Sequence, residues 1–350
     1  MSLEDLLKKA LEIGASDLHI TVGVPPTYRQ NGRLLTIDDT RLLPADTEEI
    51  VRSMLNDEQW KTYQEVGELD LSFSLQGMGR FRANVYKQRG TCCAAIRMVN
   101  LTIPSLDQLG IPEIVKELGK RTKGLILVTG PTGSGKSTTL ASVIDMINKE
   151  RDCHILTLED PIEYLHKHNK SIVNQREIGN DSHSYAAALR AALREDPDVI
   201  LVGEMRDTET IAIAVTAAET GHLVLSTLHT IGAANTIDRI IDVFPPHQQQ
   251  QIRVQLSTVI QGVISQQLLP RKDVAGRVAA IEIMVATPAI RNLIREGKTY
   301  QINSQLQTGS RFSMQTMDSS IASLYKRGII SQEEALTHAA DQDNLMRFMG

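Results

Sequence analysis

The spacing of apolar positions changes character near residue 124. Before it the pattern is mixed. Leu3, Leu6, Leu7 and Leu11 recur at helical spacing, and Gly14 can stop that helix. Asp17 to Val22 alternates as a strand, Tyr28 to Leu35 carries the hairpin signal Asn31-Gly32, and residues 46–66 read as helical. Alternation over 69–75, 80–87 and 91–99 predicts three more strands, so residues 1–99 form an α+β domain. Residues 100–123, with Pro104, Gly110 and Pro112, read as a linker with one short helix.

Beyond 124, short apolar runs at 125–129, 154–158, 171–175, 198–202 and 222–228 alternate with helices at 136–149, 183–195 and 208–220. That alternation implies right-handed crossovers and a mostly parallel sheet covered on both faces, an α/β domain over 124–350. Its last part reads as mainly helical. Ile237, Ile240, Ile241 and Phe244 make one stripe; Ile252, Leu256, Val259 and Val263 make another. Thr287 before Pro288 starts a helix that Gly297 stops, and Ser331 with Glu334 fits a capping box for a last helix.

A length of 350 residues fits two domains. Aromatics are 4%, so the cores must be built from Leu, Ile, Val and Ala. A net charge of −5 argues against nucleic acid as the main partner. No run approaches the length of a membrane span, and the acidic, amphipathic start lacks a charged-then-apolar leader. With Cys92, Cys93 and Cys153 and no C-x-x-C pair, a reduced cytoplasmic chain without structural zinc is expected.

Chemistry concentrates at the ends of the predicted parallel strands. Gly130-Pro131-Thr132-Gly133-Ser134-Gly135-Lys136-Ser137 is a phosphate-binding loop, followed by Thr138 and an amphipathic helix. Glycines let backbone amides face a polyphosphate, Lys136 supplies a cation, Ser137 a hydroxyl for Mg²⁺, and the helix its positive end. The strand 198–202 leads to Glu204, placed to polarise an attacking water. Glu159, Asp160 and Glu163 follow another strand end, and three carboxylates so close call for a cation; Glu163 is assigned to metal or water. His229 ends the strand 222–228 on the ligand side and can sense a terminal phosphate; His222 stands at its far end. In the first domain, a turn on Arg89-Gly90 sets Arg82 opposite Arg97. Like charges facing each other are tolerated most readily where an anion arrives, so both are candidate arginine fingers from a neighbouring subunit.

Together these clusters resemble the secretion ATPase superfamily that drives type II and type IV secretion and type IV pili. The resemblance runs over essentially the whole chain and implies a PAS-like N-terminal domain, a linker, and a RecA-like P-loop NTPase domain. It makes Gly130–Ser137 the Walker A loop, Ile155–Tyr164 the Asp box, Asp198–Glu204 an atypical Walker B, and Gly221–His229 the His box. Arg82 and Arg97 match the family's paired N-terminal arginines. Glu204, Glu163, His229, Arg82 and Arg97 are then the catalytic set, with Ser137, Glu163 and Glu204 around the metal. Glu159, Asp160 and His222 are assigned to nucleotide binding. Tyr28, Arg29 and Arg33 are further candidates that reach nucleotide from the hairpin region.

The short chain, the lack of a tetra-cysteine insert, and Ala289-Ile290-Arg291-Asn292-Leu293-Ile294-Arg295-Glu296 look most like the pilus-retraction members. That segment is expected to expose Arg291, Arg295 and Glu296. The resemblance implies a homohexamer that burns ATP with Mg²⁺, acts on an inner-membrane pilus platform protein, and is peripheral to the inner membrane. A pilus assembly or type II secretion ATPase is the sibling alternative. A nucleic-acid translocase or helicase is the alternative of another class.

Overall fold

In the first unit, Met1–Leu101, strands and helices follow the expected order. The computed structural model describes residues 2–30, 32–99 and 102–349. Helix α1 (Leu3–Glu12) is capped by Ser2 and buries Leu3, Leu6, Leu7 and Ala10. Strands β1 (Asp17–Ile20), β2 (Thr27–Gln30) and β3 (Arg33–Thr36) follow. Arg29 lies opposite Leu34, so β2 and β3 form the expected hairpin, with Asn31 outside the described residues. The single helical stretch expected over 46–66 is two helices, α2 (Pro44–Met54) and α3 (Asp57–Val66). The cause is local: Asn56 accepts a hydrogen bond from the Gln59 amide and begins a new helix. Strands β4 (Glu68–Leu75), β5 (Gly79–Gln88) and β6 (Thr91–Met98) complete an antiparallel sheet of order β3-β2-β1-β6-β5-β4.

The second unit is Thr102–Gly350. It contains the segment read as a linker. Leu106, Ile111, Val115 and Leu118 are buried with Val143 and Ile144 in one core, and α4 (Glu113–Gly119) packs there. The expectation rested on Pro104, Gly110 and Pro112, which interrupt regular structure without preventing burial.

Its seven-stranded sheet has the order β13-β12-β7-β11-β10-β8-β9. Strands β7 (Gly124–Thr129), β8 (His154–Glu159), β9 (Ile172–Glu177), β10 (Val199–Val202) and β11 (Leu223–Leu228) are parallel. β7, β10 and β11 are buried along their whole length, as a sheet covered on both faces requires. Helices α5 (Lys136–Glu150), α6 (Tyr185–Ala192), α7 (Thr208–Glu219), α8 (Ala233–Asp242) and α9 (Pro246–Val259) connect or cover them.

The expected stripe Ile252, Leu256, Val259, Val263 crosses a boundary. The helix ends at Val259, and β12 (Ile260–Pro270) begins there, parallel to β7 and antiparallel to β13 (Arg277–Val285). Apolar residues at 256, 259 and 263 fit a helix by spacing alone. The β-branched run Val259, Ile260, Val263, Ile264 and an open edge of the sheet decide otherwise. Helices α10 (Pro288–Arg295), α11 (Ile302–Thr308), α12 (Met317–Lys326), α13 (Gln332–His338) and α14 (Gln342–Met349) follow. Ser331 does cap α13 by accepting from the Glu334 amide, but α14 comes after it. No helix among the described residues is long and apolar enough to cross a membrane.

Candidate active site

The carboxyl ends of β7, β8, β10 and β11 open onto one cavity of about 270 Å³. Thr132, Gly133, Lys136 and Ser137 line one side, Asp160 and Glu163 another, and Glu204 and His229 a third. Glu159 also lines it.

The phosphate loop leaves β7 at Gly130, whose φ of 141° belongs to glycine. Gly135, with φ 87°, caps α5, so the free amides of its first turn stand at the cavity. Lys136 Nζ donates to the oxygens of Gly130 at 2.8 Å and Pro131 at 3.0 Å, and lies 3.5 Å from His229 Nδ1. Burial lowers its pKa, against the pull of Glu204 and Glu163. Thr138 Oγ1 meets the Tyr164 hydroxyl at 3.0 Å, tying the first turn of α5 to the Asp-box segment.

Glu204 stands two residues past β10, its side chain 17% exposed. Its Oε2 lies 2.6 Å from Arg206 Nη2 and 3.2 Å from His229 Nε2. Burial alone would raise this carboxyl, but Arg206 and His229 outweigh it and hold it below the ordinary carboxylate value. Glu204 is therefore an ionised acceptor at neutral pH, as a group that orients water must be. Glu159 behaves differently. It accepts from Thr157 Oγ1 at 2.6 Å and Gln175 Nε2 at 3.1 Å, and burial pushes its pKa up. All three clustered acids thus line the cavity, and Glu159 is in addition held by protein donors.

Among the described residues no three His, Cys, Asp or Glu side chains sit close enough to hold a metal by themselves. The Ser137 hydroxyl and the carboxylates of Asp160, Glu163 and Glu204 line the same cavity, and oxygen donors of this kind suit a hard divalent cation that keeps part of its water shell.

His222 does not belong to this site. It precedes β11 at the amino end, and its Nδ1 lies 2.9 Å from the Ala217 oxygen. In the first unit, Arg82 and Arg97 do face each other across β5 and β6. Arg97 Nε also donates to Asp17 Oδ1 at 3.0 Å, so part of the like-charge cost is met within the sheet. Tyr28 is corrected: it is 1% exposed, with burial pushing its hydroxyl up to about 12, and is a core residue. Arg29 donates to the Gly32 oxygen at 3.2 Å, and Arg33 is exposed on edge strand β3.

The sequence reading missed Arg206 and Gln266, and gave Tyr164 no role beyond its place at the end of the Asp box. Arg206 had a signal, since it follows Glu204 by two positions. Gln266 had none; it meets Ser134 across 132 residues of chain.

A RecA-like sheet with a Walker A loop and an acidic strand end facing it defines a P-loop nucleotide-binding protein. The model of the family described as type II/IV secretion system protein matches residues 2–337, and the chain belongs to that family. It is 48% identical to the type IV pilus retraction ATPase PilT of Pseudomonas aeruginosa, over 98% of this chain and all of that one. It is 50% identical to a twitching motility protein of Neisseria gonorrhoeae, over 91% of this chain and 86% of that one. A crystal structure of the pilus retraction motor PilT with bound ADP superposes with a TM-score of 0.92, at 51% identity over 99% of each chain.

Proposed function

We propose that this protein is an ATP-hydrolysing motor for type IV pilus retraction, working as a homohexamer at the cytoplasmic side of the inner membrane on a pilus platform protein. The observation that carries the hydrolytic part is Glu204, ionised and aimed into the cavity that Lys136 and Ser137 line. Lys136 and the loop amides bind the β- and γ-phosphates. Ser137, with Glu163 and Glu204, would hold Mg²⁺, which when bound would neutralise charge on the phosphates. Glu204 accepts a proton from the attacking water, and His229, bonded to Glu204, detects whether the terminal phosphate is present. Arg82 and Arg97 neutralise developing charge from the first unit. The pilus-specific part is supported by what the relatives are named for.

Glu204→Gln should bind ATP nearly as the parent does and hydrolyse it at least about a hundredfold more slowly. Steady-state phosphate release with a parallel nucleotide titration checks this, and near-normal turnover removes Glu204 from the role. Retraction is separable from assembly in cells. Loss of the gene should leave surface pili in excess, whereas loss of an assembly motor would leave none.

A further inference from the structure

Gln266 lies on β12 and is 2% exposed. Ser265 pairs with Thr129 of β7, which sets Gln266 level with Gly130, the first residue of the phosphate loop. Its main-chain oxygen occupies the space that a Cβ on Gly130 would take. Its side-chain amide is used at both ends. Nε2 donates to the Ser134 oxygen at 2.6 Å, and Oε1 accepts from Thr139 Oγ1 at 2.9 Å. The same Nε2 would lie 2.8 Å from a Cβ on Gly135. One residue therefore touches the start, the middle and the helical end of the loop. A glycine-rich loop makes room for its ligand by giving up the side chains that would fix its shape. Binding then costs ordering entropy unless something else holds the backbone.

We propose that Gln266 is a positioning residue for the nucleotide phosphates: its buried amide holds the loop from behind, through Ser134 and Thr139, without touching the ligand. This rests on the nucleotide-binding reading above. The orientation of the amide is fixed by its partners. The Ser134 oxygen needs a donor and the Thr139 hydroxyl supplies one. A carboxylate at 266 has no proton for Ser134, whereas a carboxylic acid has one.

The test is Gln266→Glu in the full chain, with ADP affinity measured by calorimetry from about pH 8 to pH 5.5, where a buried carboxyl takes up its proton, and circular dichroism to confirm folding. At the upper pH the variant should bind ADP at least about tenfold more weakly than the parent, a difference of about one unit in log Kd. The gap should narrow as pH falls and the carboxyl becomes a donor. No gap, or a gap that does not change with pH, overturns the proposal. If the variant does not fold at the upper pH, Thr139→Val decides. It removes the donor to Oε1 alone, and ADP affinity should fall several-fold while kcat at saturating ATP is kept; unchanged affinity overturns the proposal. A parent that binds no ADP takes down the nucleotide reading itself, while a binding parent with an indifferent variant removes only Gln266.

Discussion

Glu204 works because two opposing influences on one carboxyl do not cancel. Burial favours the neutral acid, and Arg206 with His229 favours the anion. Arg206 carries much of that balance although its own side chain is 76% exposed. Arg206→Ala leaves burial acting with less opposition, so the folded-state pKa of Glu204 rises. The ionised fraction is then lost at a higher pH on acidification. The acid limb of the kcat/KM profile should shift toward neutral pH relative to the parent, as read from initial rates across a pH series. An unchanged limb would mean that Glu204 is not the titrating base. Glu159, on a neighbouring strand end, shows the other outcome. Burial raises its pKa and prevails over Thr157, Gln175 and the Glu163 backbone, which lower it.

At the scale of elements, β12 and β13 do more than extend the sheet. Ser265 Oγ on β12 accepts from the Gly232 amide at 2.9 Å, and Glu282 on β13 accepts from the Ala233 amide at 2.7 Å. Both amides lie where the segment after His229 enters α8. Glu282 also accepts from the Met317 amide at the start of α12, at 3.3 Å. One carboxyl thus satisfies the free amides of two helix starts, while its burial pushes its pKa up. The α10 segment corrects the expectation of an outward Arg291. Its guanidinium is half-buried and donates to the oxygens of Ser257 at 2.8 Å and Thr258 at 2.7 Å, the last carbonyls of α9. Arg295 and Glu296 stay exposed. Arg291→Ala should therefore cost about 1–2 kcal/mol in urea denaturation, from carbonyls left without their donor. Arg295→Ala should lie within about 0.5 kcal/mol of the parent. Equal effects would return Arg291 to the surface role.

At the scale of the whole molecule, the proposed catalytic groups belong to two separately packed units. Arg82 and Arg97 are in the first; Lys136, Ser137, Glu163, Glu204 and His229 are in the second. If arginine and glutamate meet between subunits, Arg82→Ala and Glu204→Gln should each hydrolyse ATP poorly alone. Mixed and allowed to exchange, they should regain a measurable fraction of parental turnover, from sites that take Glu204 from one subunit and Arg82 from its neighbour. No gain on mixing, with exchange verified by labelled subunits, would remove the shared site. The sequence by itself determined what lies within a few residues along the chain. The phosphate loop, the strand ending toward Glu204, His229 after β11, and the Arg82–Arg97 register all follow from spacing and strand period, which fix local geometry. Tertiary structure decided what depends on contacts between distant segments: that Leu106, Ile111, Val115 and Leu118 of the segment read as a linker are core, that 260–270 is a strand, that Tyr28 is buried, and that Tyr164 and Gln266 meet the phosphate loop and its helix. Periodicity gives a segment its faces, whereas the partner each face meets is set by what the rest of the chain packs against it.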